Sequence, residues 1–496
     1  MESLTISDWL LTELKLGRFP PRMPAHRRVY ETIRRAIASH HLTPGTRLPS
    51  TRSLADALGF SRNTLLAAFE QLHDEGYVVS QTGSGTRVAK MLPEDYAEKN
   101  TLPTATNTTI TANGLSVRGT VAAGLVDQPS YEVQPFAPGE DDFSAFPTQL
   151  WRRLLNRQWR NPQPAHLDYG HAGGYLPLRR AIANYLRMSR AVNLTVEQIL
   201  ITSGTQQSID LCARLLTDHG DRVWIENPCY WGARRVLEVN GLQLHPVPVD
   251  DEGMAPGNAD FRRPPRLIYT TPSHQYPKGV VMSYGRRRLL LDYAASQGAW
   301  ILEDDYDSEF RFEGRPLSSL QGMDQSGRVL YLGTFSKVMY PGIKLGYLVV
   351  PPNLAESFKR GLYELQRPGQ VVIQAALAEF IEEGHFASHI RRLRQIYGER
   401  RRLLQKALAP VTSVGARLPP AGSGLHLVIE LPPDCDDVRV AELAAEQGLH
   451  VYPLSGYGIG EHREKGLIVG YAYAATERIA PNGRILADVI RAALSH

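Results

Sequence analysis

Arg328-Val-Leu-Tyr-Leu-Gly-Thr-Phe-Ser-Lys337 joins a short apolar run to a lysine flanked by the hydroxyls of Thr334 and Ser336. The apolar half, closed by a glycine, predicts a buried strand. A lysine just past such a strand is either desolvated enough to act as a nucleophile or Schiff-base partner, or a solvated lysine like most others in that position. Similar runs recur at 199–202, 222–226, 266–271, 299–303 and 344–350, separated by stretches of helical period. That alternation predicts an α/β fold with a mostly parallel sheet and a ligand at the carboxyl ends of its strands. From about residue 365 the pattern turns helical, then strand-like near 425–430 and 467–471, which predicts a smaller C-terminal α+β domain.

Candidate chemistry gathers at the predicted strand ends. Ala299-Trp-Ile-Leu-Glu-Asp-Asp-Tyr306 places the carboxylate of Asp304 and the phenol of Tyr306 together. A pyridine cofactor needs such a carboxylate to keep its ring nitrogen protonated and such a donor for its ring oxygen. Ser203-Gly204-Thr205-Gln206 links a strand to a helix whose first amides can hold a phosphate. Tyr230 can stack on a flat ring, and Lys344, seven residues after Lys337, can bring positive charge to the same phosphate.

The N-terminal part reads differently. Residues 26–39 carry Val29, Ile33, Ala36 and Ile37 at helical spacing; a second helix should start at the N-cap Ser50, bury Leu54, Ala57 and Leu58 and stop at Gly59. A third begins at Ser61, buries Leu65, Phe69 and Leu72, and opens with Arg62, Asn63 and Thr64. Residues 77–80, a Gln81-Thr-Gly-Ser-Gly85 turn and 86–88 predict a hairpin, so the order is helix, helix, helix, wing. Such a unit presents a helix N-terminus to the major groove, where Arg can pair with guanine, Asn with adenine and Thr with a methyl or phosphate. Arg47, Ser50, Arg52, Ser61, Arg62, Asn63, Thr64 and Arg87 are the candidate contacts, with Arg52 and Arg87 equally suited to phosphates and bases. The plain alternative is a helical cap with a solvated basic face.

Charge separates the two parts. The net charge of the 496 residues is +4, yet residues 20–90 hold ten Lys and Arg against five acids, leaving 45 basic and 46 acidic groups elsewhere. A basic module joined to a near-neutral one suits nucleic-acid binding by the first. Between them, about 91–136 is rich in Thr, Asn, Ala and Gly and predicts a flexible linker, giving domains at 20–90 and 137–496. Hydrophobic residues make up 43% and charged ones 21%, which excludes a disordered, collagenous or coiled-coil chain. Three cysteines, Cys212, Cys229 and Cys435, form neither a disulfide framework nor a zinc pattern, so no metal is expected. No secretory signal or membrane-spanning run is legible, so the expectation is a cytoplasmic protein with no membrane contact.

The segments Tyr169-Gly-His-Ala-Gly-Gly-Tyr-Leu-Pro-Leu-Arg-Arg, Ile201-Thr-Ser-Gly-Thr-Gln-Gln, Thr271-Pro-Ser-His-Gln-Tyr-Pro-Lys-Gly, Glu303-Asp-Asp-Tyr-Asp-Ser-Glu-Phe and Gly333-Thr-Phe-Ser-Lys resemble a fold-type I aminotransferase. Leu42-Thr-Pro-Gly-Thr-Arg-Leu-Pro-Ser-Thr-Arg and Ser61-Arg-Asn-Thr resemble the GntR winged helix. In this order they resemble the MocR/GabR family of pyridoxal-phosphate-dependent transcriptional regulators. The resemblance implies that Lys337 forms the Schiff base with pyridoxal 5'-phosphate, Asp304 pairs the pyridine nitrogen, Tyr306 bonds the ring oxygen and Tyr230 stacks on the ring. It implies that Gly204, Thr205, Gln206, Thr334, Ser336 and Lys344 surround the phosphate, and that Tyr169 reaches a site across a dimer interface. It further implies head-to-tail homodimers, a double-stranded DNA operator and, bound to it, a place on the bacterial nucleoid.

Departures from the aminotransferase pattern bear on activity. Tyr276-Pro-Lys-Gly279 replaces the usual Asn-Pro-x-Gly, Asp304 and Tyr306 are two residues apart instead of three, and Lys344 stands for an arginine. The arginine that clamps a substrate carboxylate aligns with about Ile468; Arg463 nearby is either an acid-binding group or a solvated charge. The expected function is therefore a regulator that senses pyridoxal phosphate, a small amino compound, or both, through exchange at Lys337, with at most weak transaminase activity. The alternative is an active aminotransferase carrying an appended DNA-binding domain.

Overall fold

The computed structural model describes residues 6–17, 19–20, 22–81, 85–90, 114–124, 134–314, 318–367, 369–420, 422–461 and 463–495. It divides into two compact units, Met1–Ile110 and Thr111–His496.

The first unit opens with a helix that the sequence pattern did not suggest, α1 (Ile6–Leu16), followed by α2 (Ala25–Ala38), α3 (Thr51–Leu58) and α4 (Arg62–Asp74). Leu10 of α1 is buried in the same core as Val29, Ile33, Leu54, Leu65 and Phe69, so this helix is part of the folded module rather than a leader to it. The Ser50 hydroxyl accepts from the Ser53 amide at 3.1 Å and the Ser61 hydroxyl from the Thr64 amide at 3.2 Å, while Gly59 closes α3 in the left-handed conformation. Ala57 is exposed, against expectation, and Ala55 is buried: the two flank the Leu54–Leu58 stripe on opposite sides, and only the Ala55 side is covered by the core. Strands β1 (Val78–Gln81) and β2 (Gly85–Val88) pair antiparallel as the expected wing; its tip, residues 82–84, lies outside the described residues.

The second unit begins inside the stretch read as linker. There α5 (Val117–Ala122) is capped by Ser116, and Arg235 Nη1 donates to the Val121 carbonyl at 2.9 Å. The rest of that stretch, 91–113 and 125–133, lies outside the described residues.

The large sheet contains β3 (Ile199–Thr202), β4 (Arg222–Asn227), β5 (Gln243–Asp250), β6 (Gly253–Met254), β7 (Leu267–Thr270), β8 (Trp300–Asp305), β9 (Val329–Thr334) and β10 (Gly346–Val349). Its spatial order is β3-β10-β9-β8-β7-β4-β5-β6. Strands β9, β8, β7, β4 and β5 are parallel; β10 runs antiparallel between β9 and β3, so β3 again points the same way as β9. Both faces are buried, as near-continuous apolar strands require. Ile199, Ile201, Tyr331, Tyr347 and Val349 pack into one core, and Leu200, Leu330, Leu332 and Leu348 into the other. β5 escaped the sequence reading because Pro246 and Pro248 interrupt it; next to the sheet edge the missing amides cost little.

Two helices matter for the site. Thr205–Leu216 (α6) follows β3 and Trp231–Val239 (α7) follows β4. A second, antiparallel sheet of β11 (His426–Glu430), β12 (Tyr452–Pro453) and β13 (Gly466–Gly470), ordered β11-β13-β12, carries the smaller C-terminal portion against the long helices His385–Leu408 and Thr476–Leu494. Among the described residues no helix is long and apolar enough to cross a membrane, and no cluster of His, Cys, Asp and Glu could hold a metal ion.

Candidate functional site

The carboxyl ends of β3, β4, β7, β8 and β9 converge, and the predicted chemistry sits there. On β8 the sequence Glu303-Asp304-Asp305 offers three carboxylates; strand alternation sorts them. Asp305 faces Arg190, whose Nε donates to it at 2.8 Å, and also accepts from the Tyr331 hydroxyl. Asp304 faces the other way and accepts from the Tyr269 hydroxyl of β7 at 2.6 Å. It is 3% exposed, and its Oδ1 has no hydrogen-bond partner. Burial pushes its carboxyl up to about 7, with the neighbouring Asp305, Asp307 and Glu226 adding to the effect and the Tyr269 hydrogen bond opposing it. A buried carboxylate with one oxygen unanswered calls for a cationic N–H, which a protonated pyridine nitrogen supplies.

Tyr230 is the N-cap residue of α7, three positions past the end of β4; burial raises its hydroxyl, Asp304 adds to the effect and Gln206 opposes it, so Tyr230 is near enough to Asp304 to feel its charge. The phosphate end is built from backbone. Gly204 (φ +121°) precedes α6, which starts with no side-chain cap, so its first amides are open to an anion. Gly346 pairs with both Thr202 and Thr334, and a Cβ there would lie 2.9 Å from the Gly204 Cα. Gly204 on one side and Thr334 and Ser336 on the other thus flank the chain leaving Lys344. The Thr334 hydroxyl donates to Ser336 Oγ at 3.0 Å, and Lys344 is exposed at φ +51°. These features fit a phosphopyridine.

Lys337 Nζ donates to the Gly139 carbonyl at 2.6 Å and stands 3.5 Å from Asp141 Oδ2. Gly139 and Asp141 were not anticipated; nothing in Pro138-Gly-Glu-Asp141 announces a strand end. Asp141 is 5% exposed, and burial pushes its carboxyl up to about 6, with Lys337 opposing. Tyr306 is not alone either. Its hydroxyl lies 2.9 Å from Nδ1 of His274, to which the sequence pattern assigns no role. Around them Tyr276 meets Tyr230, Tyr306, His426 and Tyr457 edge-on at centroid distances of 5.4–5.8 Å. Ile468 on β13 is fully buried with Val428, Leu454 and Tyr457, and Arg463 is exposed and donates to the Gly460 carbonyl. Tyr169 is 57% exposed, with Arg367 over its ring at 5.4 Å.

In the first unit, Arg52, Arg62 and Asn63 are exposed at the starts of α3 and α4. Arg47 lies across Gly85 of the wing and pairs through its backbone with Arg87, whose Nη1 donates to the Gly45 carbonyl at 3.1 Å. Ser50, Ser61 and Thr64 are engaged in capping, with the Ser61 and Thr64 hydroxyls 2.8 Å apart, so they shape the helix starts.

Residues 25–88 match the model of bacterial regulatory proteins of the gntR family, and residues 141–468 match aminotransferase class I and II. The chain is 40% identical over 455 residues to the probable rhizopine catabolism regulatory protein MocR of Rhizobium meliloti, covering 91% of this chain and 90% of that one. The chain belongs to the MocR/GabR family. A second MocR/GabR relative, the pyridoxine biosynthesis transcriptional regulator PdxR of Corynebacterium glutamicum, is 33% identical over 89% of this chain and 90% of its own length. Among solved structures, the α-aminoadipate aminotransferase LysN of Thermus thermophilus, complexed with N-(5'-phosphopyridoxyl)-L-leucine, superposes with a TM-score of 0.67 at 27% identity, covering 73% of this chain and 93% of that one. As a MocR/GabR member the chain is a DNA-binding transcriptional regulator, and pyridoxal phosphate is the cofactor of its large unit.

Proposed function

We propose that this regulator senses pyridoxal phosphate, a small amino compound, or both, at Lys337, and that occupancy of that site changes how its basic module engages DNA. Pyridoxal phosphate supplies an electrophilic carbon to which primary amines bond reversibly. In this reading Asp304 holds the ring nitrogen's proton, Tyr306 donates to the ring oxygen and Tyr230 covers the ring. The amides after Gly204, with Thr205, Gln206, Thr334, Ser336 and Lys344, hold the phosphate.

The observation that carries the proposal is the buried Asp304 with its Oδ1 unpartnered, in a chain where the position that resembles the usual carboxylate clamp, at about Ile468, is apolar and buried. A site that keeps its cofactor groups while lacking the clamp that orients an amino acid for turnover suits binding better than catalysis. Tyr230 caps α7, and Arg235 of α7 holds the last turn of α5, in the stretch that continues toward the DNA-binding module. Head-to-tail pairing of two cytoplasmic chains, with Tyr169 facing the partner's site, would place two recognition helices on paired half-sites.

The test is Lys337→Ala in the full-length protein. The visible absorbance of bound cofactor should disappear, and with it the dependence of operator binding on pyridoxal phosphate and on amines. Loss of the absorbance with that dependence intact would reject sensing at Lys337.

A further inference from the structure

His274 Nδ1 lies 2.9 Å from the Tyr306 hydroxyl and also 2.9 Å from Asp307 Oδ2. His274 and Asp307 are 2% and 1% exposed. The ring is closely boxed. A Cβ on Gly424 would fall 2.0 Å from its Cε1, so the left-handed glycine there (φ +89°) is what lets the ring occupy this position. The other groups facing it are settled. His426, with its ring 5.2 Å away, meets the Pro277 carbonyl through Nε2 at 2.8 Å and is pushed down to about 3 by burial and by His274, so it is neutral.

One nitrogen touching two oxygens constrains where the protons are. A carboxylate only accepts, and an unprotonated Nδ1 only accepts, so the two cannot face each other at this distance; Nδ1 must carry its hydrogen and donate toward Asp307. The Tyr306 oxygen then sits beside a donor, and its own proton is not drawn to His274. Burial, with Asp307 next in importance, holds the Tyr306 hydroxyl well above its ordinary range, so the phenol keeps that proton.

We infer that His274 and Asp307 are positioning residues that keep Tyr306 a hydrogen-bond donor, with its O–H free for the ring oxygen of pyridoxal phosphate. The inference rests on the proposed role of Tyr306. The one Nδ1–H, 2.9 Å from both oxygens, is shared between Asp307 and the Tyr306 oxygen, and its share toward the phenol polarises it and strengthens its donation. Asp307 acts through His274, and neither touches the cofactor.

The experiment is a pH titration of the visible absorbance of the cofactor-loaded, full-length protein. Its midpoint reports the proton shared between the ring oxygen and the Lys337 nitrogen. Donation to the ring oxygen favours the deprotonated form, so weakening it raises the midpoint. Asp307→Asn is nearly isosteric and lets an amide N–H meet Nδ1, which then accepts the Tyr306 proton; His274→Phe keeps the ring and removes the nitrogen. Each should raise the midpoint by about half to one pH unit, a roughly three- to tenfold change in proton affinity. In a Tyr306→Phe background neither should add a further shift. A midpoint unmoved in both single variants, or shifted equally in the Tyr306→Phe background, would overturn the positioning role. If Tyr306→Phe itself leaves the midpoint unchanged, the assignment of Tyr306 falls first and the inference falls with it.

Discussion

Lys337 Nζ donates to the carbonyl oxygen of Gly139, 198 positions earlier in the chain, at 2.6 Å. With Asp141 Oδ2 3.5 Å away, the free ammonium has a prepared resting place. Any amine that displaces Lys337 from the cofactor is helped by the stability of the displaced lysine. Asp141→Asn should therefore raise the amine concentration at half-conversion of the cofactor spectrum by about fivefold, equivalent to roughly 1 kcal/mol. Affinity for the cofactor itself should not weaken. Spectral titration with a panel of primary amines measures both.

Asp304 gives a pH signature to the cofactor-free protein. Its folded-state carboxyl lies at about 7, against about 3.9 in an unfolded chain. Below the lower value both states are protonated and the contribution is complete; as pH rises toward 7 the folded protein must give up a proton it prefers to keep, and stability is lost. Asp304→Asn should flatten this decline, so that the cofactor-free variant melts higher than wild type at pH 8. It should also bind pyridoxal phosphate about 10- to 100-fold more weakly, having lost a charge-assisted bond. Calorimetry from pH 5 to 8, with and without cofactor, checks both signs.

On the DNA side, exposed Arg62 and Arg52 open different helices. Arg62→Ala should cost about 1–3 kcal/mol of operator affinity and relax selectivity at one base position. For Arg52→Ala, a phosphate contact predicts weaker binding to all sequences alike with the salt slope reduced by about 1, and a base contact predicts relaxed selectivity at one position. Binding isotherms at several salt concentrations on operator and mutated operator separate the two.

The linker helix offers a handle on communication. Removing the Arg235 guanidinium takes away the side-chain donor to the Val121 carbonyl, leaving only its bonds from the backbone at the helix end. Arg235→Ala should leave the cofactor spectrum unchanged and reduce the effect of ligand on operator affinity, by about 2- to 30-fold if the coupling carried there is about 0.5–2 kcal/mol. Parallel spectral and DNA-binding titrations would show whether the two responses separate.

Leu10 tests the extent of the N-terminal module. It is 1% exposed in a core shared with α2, α3 and α4, so Leu10→Ala should destabilise that module by about 2–5 kcal/mol. Melting of the variant followed by DNA binding, against cofactor release as a reporter of the second unit, should show the first failing alone.

Local pattern was enough for much of this protein. The apolar runs around 199–202, 299–303 and 328–332 determine buried strands wherever they are placed, Ser50 and Ser61 determine helix starts, and the basic excess of residues 20–90 marks a module separate from the rest. Lys337, Asp304 and Tyr230 stand out as candidates in the sequence because each lies within a few residues of the end of an apolar run, which is a local signal. The contacts that complete the site are not local. Tyr269 reaches Asp304 across 35 positions, His274 reaches Tyr306 across 32 and Gly139 reaches Lys337 across 198. The same holds for the choice of Asp304 over Asp305, which depends on whether Tyr269 or Arg190 stands opposite each face of β8. Helix α1 was missed because its burial is visible only once Leu10 meets residues of three other helices. Periodicity and capping act over a few residues and are written in the sequence; hydrogen-bond partners, burial and the pKa shifts they cause arise where distant segments meet, and only the tertiary structure decides them.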